Sequence, residues 1–109
     1  GKFEGKGTYT FVSGSKYEGE YKNGVREGKG KFTYPTGDVY EGDFVGGYTE
    51  GKGVYYYSSG DRYEGEYKGG KKNGNGVYYF SSGTVQTGVF EEGELVEEIS
   101  IKRPPKKRF

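Results

Sequence analysis

Three pairs of carboxylates, with one residue between the members of each pair, are the first groups in this chain that could do chemistry. The pairs are Glu18 with Glu20, Glu41 with Asp43, and Glu64 with Glu66. Two carboxylates held close together can act in acid–base catalysis or bind calcium. In an alternating β-strand, however, residues i and i+2 lie on one face, and no other ligands cluster around a point. We therefore interpret these acids as a solvated face of a sheet.

A Gly-Lys-Gly sequence occurs at Gly5, Gly28 and Gly51 and is similar to part of a phosphate-binding loop. No copy has the full spacing of such a loop, which ends in Lys-Ser or Lys-Thr before a helix. We interpret these glycines as structural. A ring from a neighbouring strand can lie flat over a backbone that has no Cβ.

Cysteine and histidine are both absent from the 109 residues. The chain therefore has no disulfide and no thiol nucleophile, and it lacks the commonest general base and zinc ligand. We expect a non-catalytic protein with no catalytic residue, cofactor or metal site. No apolar run approaches membrane-spanning length, and no stretch resembles a signal peptide. Because the sequence starts at Gly1 rather than Met, we expect it to be a segment of a longer chain.

The elements that position these residues recur every 23 residues. The unit is clearest as GKGVYYYSSGDRYEGEY, from Gly51 to Tyr67, and it returns one period earlier and one period later. Of the 23 glycines, all but Gly1, Gly46 and Gly69 fall in series with this period. A fixed period of this length predicts a repeat architecture. The predicted array covers residues 1–93, with units at 5–27, 28–50, 51–73 and 74–93.

The turn within each unit predicts how its two strands pair. In the second unit the turn is Tyr34 to Gly37 (YPTG), which is typical of a three-residue hairpin loop with a glycine bulge. Residues that flank such a loop must pair, so Tyr34 is expected opposite Asp38. Counting outward, the predicted pairs are Phe32 with Tyr40, Gly30 with Gly42, Gly28 with Phe44, Thr33 with Val39, Lys31 with Glu41, and Lys29 with Asp43. This register sorts rings and glycines onto one face and opposite charges onto the other.

We therefore predict an all-β fold: a single twisted antiparallel sheet of four stacked β-hairpins, with eight strands and no helix. The net charge is only +1 and 13 tyrosines are present, so the core should be thin and aromatic. The links between hairpins, at residues 22–27, 45–50 and 68–73, are expected to be exposed loops. Residues 94–101 are expected to add a capping strand at the edge. Residues 102–109 are expected to form a basic, proline-containing tail.

The run Tyr-Glu-Gly-(Glu/Asp)-(Tyr/Phe) at Tyr17, Tyr40 and Tyr63, with the following Gly-x-Gly, resembles the MORN repeat (membrane occupation and recognition nexus). The resemblance spans roughly residues 4 to 93. The family's usual Trp is replaced by Tyr21, Phe44, Tyr67 and Phe90, and its common His by Glu27, Glu50 and Asn73. The resemblance implies a β-hairpin solenoid that serves as a docking platform. It implies a cytoplasmic setting in cytoskeletal, ciliary, axonemal, junctional or membrane-proximal assemblies.

One ring per unit lies directly before the three-residue turn, and a polar residue follows that turn on the return strand. An aromatic row with regularly spaced polar groups suits an extended or helical segment of another protein. The predicted partner-binding residues are Phe11, Tyr34, Asp38, Tyr57, Asp61 and Phe80. The alternative is that these rings only stack on one another.

The basic tail allows a second function, that of a membrane adaptor. The residues predicted to contact anionic phospholipid are Lys102, Arg103, Lys106, Lys107 and Arg108. Against a role for the array itself, residues 1–101 contain 12 basic and 16 acidic side chains. A solvated linker and a nuclear-import signal remain alternatives for the tail, and no nucleic-acid partner is expected. Further alternatives are an accessory domain of a larger enzyme and self-association through the ends of the sheet.

Overall fold

A computed structural model describes residues 4–105. These residues form one antiparallel sheet in which the strands follow chain order, and the described part of the chain contains no helix. The strands are β1 (Gly5–Thr10), β2 (Lys16–Lys22), β3 (Val25–Thr33), β4 (Val39–Val45), β5 (Tyr48–Tyr56), β6 (Arg62–Lys68), β7 (Lys71–Tyr79), β8 (Val85–Glu91) and β9 (Glu94–Lys102). The predicted all-β single sheet is confirmed. The four predicted hairpins supply eight of the nine strands, and β9 lies where residues 94–101 were expected to add a capping strand.

The register predicted from the three-residue turns is confirmed. The backbone N–H of Tyr34 donates to the carbonyl of Asp38 at 2.9 Å, and Gly37 adopts a φ of +97° at the bulge position. Every pair predicted between β3 and β4 is present, including Lys29 beside Asp43. The Lys29 Nζ and Asp43 Oδ1 atoms are 2.7 Å apart on the exposed face. Such a pair contributes only about 0.2–1 kcal/mol, so it favours a register more than it stabilises the fold.

The links between hairpins are tight turns, and the prediction of exposed loops at 22–27, 45–50 and 68–73 was wrong. Lys22 pairs directly with Val25, which leaves only Asn23 and Gly24 in the turn. Both adopt positive φ, at 51° and 78°, as a type I′ hairpin turn requires. The equivalent turns are Gly46–Gly47, Gly69–Gly70 and Glu92–Gly93. Gly46 and Gly69 take the first position of this turn, where the other two copies have Asn23 and Glu92. This is why they do not belong to a glycine series that runs through all repeats.

In three of the four Gly-x-Gly copies, the first glycine lies at an irregularity between neighbouring units: Gly28, Gly51 and Gly74. Between β2 and β3 the pairing passes from Gly19 with Gly30 to Tyr21 with Arg26, which leaves extra residues on β3. Gly28 has a φ of +73° there, and an added Cβ would lie 2.5 Å from a carboxylate oxygen of Glu20. These first glycines therefore serve backbone geometry, and the expected ring lies instead over the second glycine of the motif, as at Gly30 and Gly53.

The core is a row of tyrosines packed over glycines. Tyr17, Tyr40 and Tyr63 are fully buried, and each ring covers the second glycine of the following Gly-x-Gly. Each hydroxyl donates to a backbone carbonyl three residues later, at 2.8–3.0 Å. Rings that meet them edge-to-face complete the core: Tyr21, Phe44, Tyr67 and Phe90. Burial raises the pKa of Tyr17 and of Tyr63 to about 12, so these phenols stay protonated hydrogen-bond donors at neutral pH.

Replacing Gly53 by alanine is expected to lower the free energy of unfolding by about 1–3 kcal/mol. The added Cβ would lie 2.5 Å from ring atoms of Tyr40, which is fully buried and has no room to move away. Urea denaturation followed by circular dichroism measures the change. Gly46→Asn is the matched control, because nothing lies within 4 Å of a Cβ at Gly46 and Asn23 adopts the same turn position. That control should change stability by less than about 0.5 kcal/mol. Equal losses in both variants would contradict the packing role of Gly53.

Candidate functional site

An unbroken row of rings runs along the aromatic face near the three-residue turns. We call it the turn-side row, and it consists of Phe11, Phe32, Tyr34, Tyr55, Tyr57, Tyr78 and Phe80. Neighbouring ring centroids are 4.6–6.2 Å apart from one end to the other. All seven rings are partly buried. Six of them pack against the core, and Phe80 packs on Tyr78. The four rings predicted to bind a partner, at positions 11, 34, 57 and 80, therefore alternate with rings of the longer strands.

The two predicted acidic contacts, Asp38 and Asp61, link each repeat to the next. The oxygens of Asp38 accept hydrogen bonds from the Tyr55 hydroxyl at 2.9 Å and from the backbone N–H of Ser58 at 2.8 Å. Asp61 accepts the same pair of bonds from the following repeat. The backbone hydrogen bond is the main reason that the pKa of each carboxyl is lowered. Contact of these acids with a partner stays a prediction, and their role in the array was missed.

A second set of acids links the tight turns. Glu27 Oε1 accepts a hydrogen bond from the N–H of Gly46 at 2.9 Å, and Glu50 Oε1 accepts one from Gly69 at 3.1 Å. Glu4 makes the same contact with Asn23. Glu27 and Glu50 stand where the resemblance led us to expect His. In this chain these positions therefore bond one repeat to the next.

A groove of about 340 Å³ opens on the aromatic face. Rings from both the turn-side row and the core line it, including Tyr34, Tyr57 and Tyr67. Its ionisable lining, apart from tyrosines, consists of Arg26, Lys71 and Lys72. Among the described residues that line the groove there is no Asp or Glu. The groove is therefore aromatic and positively charged, which the sequence reasoning did not predict.

The two partly buried cations occupy one repeat position. Arg26, Thr49, Lys72 and Leu95 are 23 residues apart. The Arg26 guanidinium lies 4.9 Å from the Phe32 ring centroid, and its Nη2 donates to the Gly47 carbonyl at 3.0 Å. The Lys72 ammonium donates to the Tyr57 hydroxyl and lies within 6 Å of four ring centroids. Contact with ring faces stabilises a desolvated cation.

Three residues that line the groove each carry a buried polar atom without a hydrogen-bond partner in the protein. These atoms are Thr49 Oγ1, Tyr67 Oη and Arg26 Nε. Thr49 and Tyr67 are only 8% and 7% exposed. Leaving such a donor unpaired costs about 1–3 kcal/mol. These donors therefore have no acceptor within the described part of the protein.

Of the five residues predicted to contact lipid, the structure describes Lys102 and Arg103. Lys102 is the last residue of β9, and Arg103 is exposed just beyond it. Lys106, Lys107 and Arg108 lie outside the described residues. Across residues 4–105, no helix is long and apolar enough to cross a membrane. Over the same range, no group of acidic side chains has an arrangement that would hold a metal ion.

Comparison with known families gives one match. A family model described as MORN repeat matches residues 1–16, 17–39, 40–62 and 63–85. The last three matches begin at Tyr17, Tyr40 and Tyr63, the fully buried tyrosines of the core. The matches stop at residue 85, so β9 lies beyond them. No curated protein matches the chain.

Replacing Asp38 and Asp61 together by asparagine is expected to destabilise the chain in a pH-dependent way. Because their pKa values are lowered in the folded state, these carboxylates stabilise the fold above the unfolded pKa of about 3.9. That stabilisation is lost as the pH falls through the folded pKa. The difference in unfolding free energy from the parent chain should therefore be largest above about pH 5 and shrink in acid. Urea denaturation at several pH values between about 3 and about 7 measures this difference in unfolding free energy.

The control for net charge is Glu18→Gln with Glu64→Gln, since both residues lie in exposed ion pairs. This control should change stability less than the aspartate variant at neutral pH. A loss in the aspartate variant that does not change with pH would contradict the proposed cause.

Proposed function

The chain belongs to the MORN-repeat family, and from this premise we propose that it is a non-catalytic scaffold that binds another protein along its aromatic face. The observation that supports this proposal is the uncovered groove on that face. A single sheet has no second layer to cover its rings, so the turn-side row stays only partly buried. Partly exposed aromatic surface of this kind marks interaction sites.

The shape of the surface favours a segment of a partner chain over a small ligand. The turn-side row crosses the strands from residue 11 to residue 80, and repeats follow at about 10 Å, two strand spacings. A linear row of rings offers several anchors to one extended or helical segment. The family supports a cytoskeletal, ciliary or membrane-proximal assembly as the setting.

Replacing Tyr34 and Tyr57 together by serine is expected to weaken binding at least about tenfold, which corresponds to about 1.4 kcal/mol. Peptides selected from a displayed library of random dodecamers serve as the probe, and fluorescence anisotropy measures their affinity. The β spectrum and cooperative melting should persist, because the three fully buried tyrosines are untouched. The matched control is Tyr56→Ser with Tyr79→Ser, one period apart and outside the groove lining. Unfolding of the Tyr34/Tyr57 variant, or unchanged binding, would contradict the proposed surface.

A second candidate function, contact with anionic lipid, rests on the five basic residues at positions 102, 103, 106, 107 and 108. Flotation with phosphatidylserine vesicles should retain the full chain at low salt and lose it as salt increases. Deleting residues 103–109 should abolish flotation, since the remaining chain carries more acids than bases. Vesicle binding that survives this deletion would contradict the charge argument.

A further inference from the structure

We propose that the groove receives an acidic side chain of the bound protein segment, with its carboxylate beside Thr49 and flanked by Arg26 and Lys72. Apolar side chains next to that acid contact the turn-side row. This inference rests on the proposed scaffold function and specifies the chemistry of the partner.

The order of the strands places these residues together. Arg26 is on β3, Thr49 on β5 and Lys72 on β7, so the threonine lies between the two cations along the sheet. Arg26 reaches toward β5, because its Nη2 bonds to Gly47, two residues before Thr49. Lys72 bonds to the hydroxyl of Tyr57, which directly follows β5. All three side chains line one groove.

The unpaired polar atoms indicate what the ligand must supply. Thr49 and Tyr67 each offer a hydroxyl, and Arg26 Nε–H is a third donor without an acceptor. A carboxylate is an acceptor-only group with about four lone-pair sites. A bound carboxylate would therefore satisfy donors that the free chain leaves unpaired.

Charge complementarity selects an acidic side chain. The groove lining contains three cationic side chains and, among the described residues, no carboxylate. Asp38 and Asp61, which lie at the three-residue turns, already accept two hydrogen bonds each. Ring faces hold the cations in a partly desolvated place, where attraction to an anion is stronger than in water.

The charge of the whole array favours a protein segment over a bilayer. Residues 1–101 contain four more acids than bases, so an anionic membrane that approached the array would be repelled. A single side chain that enters the groove senses mainly the local cations. The aromatic lining also needs apolar neighbours beside the acid, and a protein segment supplies both.

The test uses the displayed dodecamer library against the whole chain at pH 7 and near-physiological salt. Selected peptides should share an Asp or Glu with an aromatic or aliphatic residue within two positions. For the tightest peptide, replacing that acid by its amide should weaken binding about tenfold or more. The double variant Arg26→Gln with Lys72→Gln should weaken the parent peptide by a similar factor. The amide peptide should lose little further affinity on this variant, as direct pairing requires.

Controls separate charge, folding and site. Lys29→Gln with Lys52→Gln removes two charges outside the groove lining and should leave binding unchanged. Arg26→Lys with Lys72→Arg keeps both charges but removes the Arg26 Nε–H donor, so it should weaken binding less than the glutamine variant does. Thr49→Val removes an unpaired hydroxyl, so its melting temperature should equal or exceed that of the parent while peptide binding falls. A purely structural role for Thr49 would not separate these two readouts.

Several outcomes would overturn the inference. They are the absence of selected peptides, selected peptides without a shared acid, and additive losses in the double-mutant cycle. Phosphatidylserine vesicle binding that depends on Arg26 and Lys72 would also overturn it, in favour of a lipid site. If Tyr34→Ser with Tyr57→Ser abolishes binding but the cation variant does not, the scaffold function stands and the acid inference fails.

Discussion

The fold depends on one contact, that of a tyrosine ring lying over a glycine of the neighbouring strand. Tyr17, Tyr40 and Tyr63 are fully buried in a sheet that has no second layer, and this is achieved because the backbone beneath them has no Cβ. At Gly30 an added Cβ would lie 2.5 Å from the Tyr17 hydroxyl oxygen. Each hydroxyl donates to a carbonyl at the irregular end of its strand pair. Ring, glycine and distorted backbone therefore require one another, and the 23-residue period preserves all three.

Stability in this array accumulates between neighbours rather than around a centre. Asp38 connects its three-residue turn to the next such turn, and Glu27 bonds to the following two-residue turn at the opposite ends of the strands. Different carboxylates therefore accept backbone N–H groups on the two sides of the sheet where the turns lie. The edge-to-face rings Phe44 and Tyr67 each contact the buried tyrosines of two successive repeats. Such nearest-neighbour coupling is how repeat arrays acquire cooperativity.

The sequence predicted the features that every repeat shares. Turn chemistry at Tyr34 to Gly37 determined the register, and with it the separation of rings from charges. The tight turns were missed although Asn23–Gly24 is a strong hairpin signal, because Gly46–Gly47 and Gly69–Gly70 read as flexible linkers. The link from Asp38 to Tyr55 has a signal, a recurring acid 17 residues before a tyrosine. The sequence contained no comparable signal for the groove cations. Residues 26, 49, 72 and 95 differ in type, so aligning the repeats shows no recurring residue at this position.

Positions 26, 49, 72 and 95 carry a different residue in each repeat, and this variation bears on which partner segments the proposed groove could accept. Its neighbours in every repeat are held by the register, the turns and the tyrosine contacts. A substitution there changes the groove and local contacts such as the Arg26 bond to Gly47, while the register of the sheet is set elsewhere. Successive copies are about 10 Å apart, and an extended peptide advances about 3.3 Å per residue. A segment that crosses the strands therefore presents every third residue to a new copy. For the proposed partner segment, exchanging one of these residues would therefore change which side chain is accepted at one position in three.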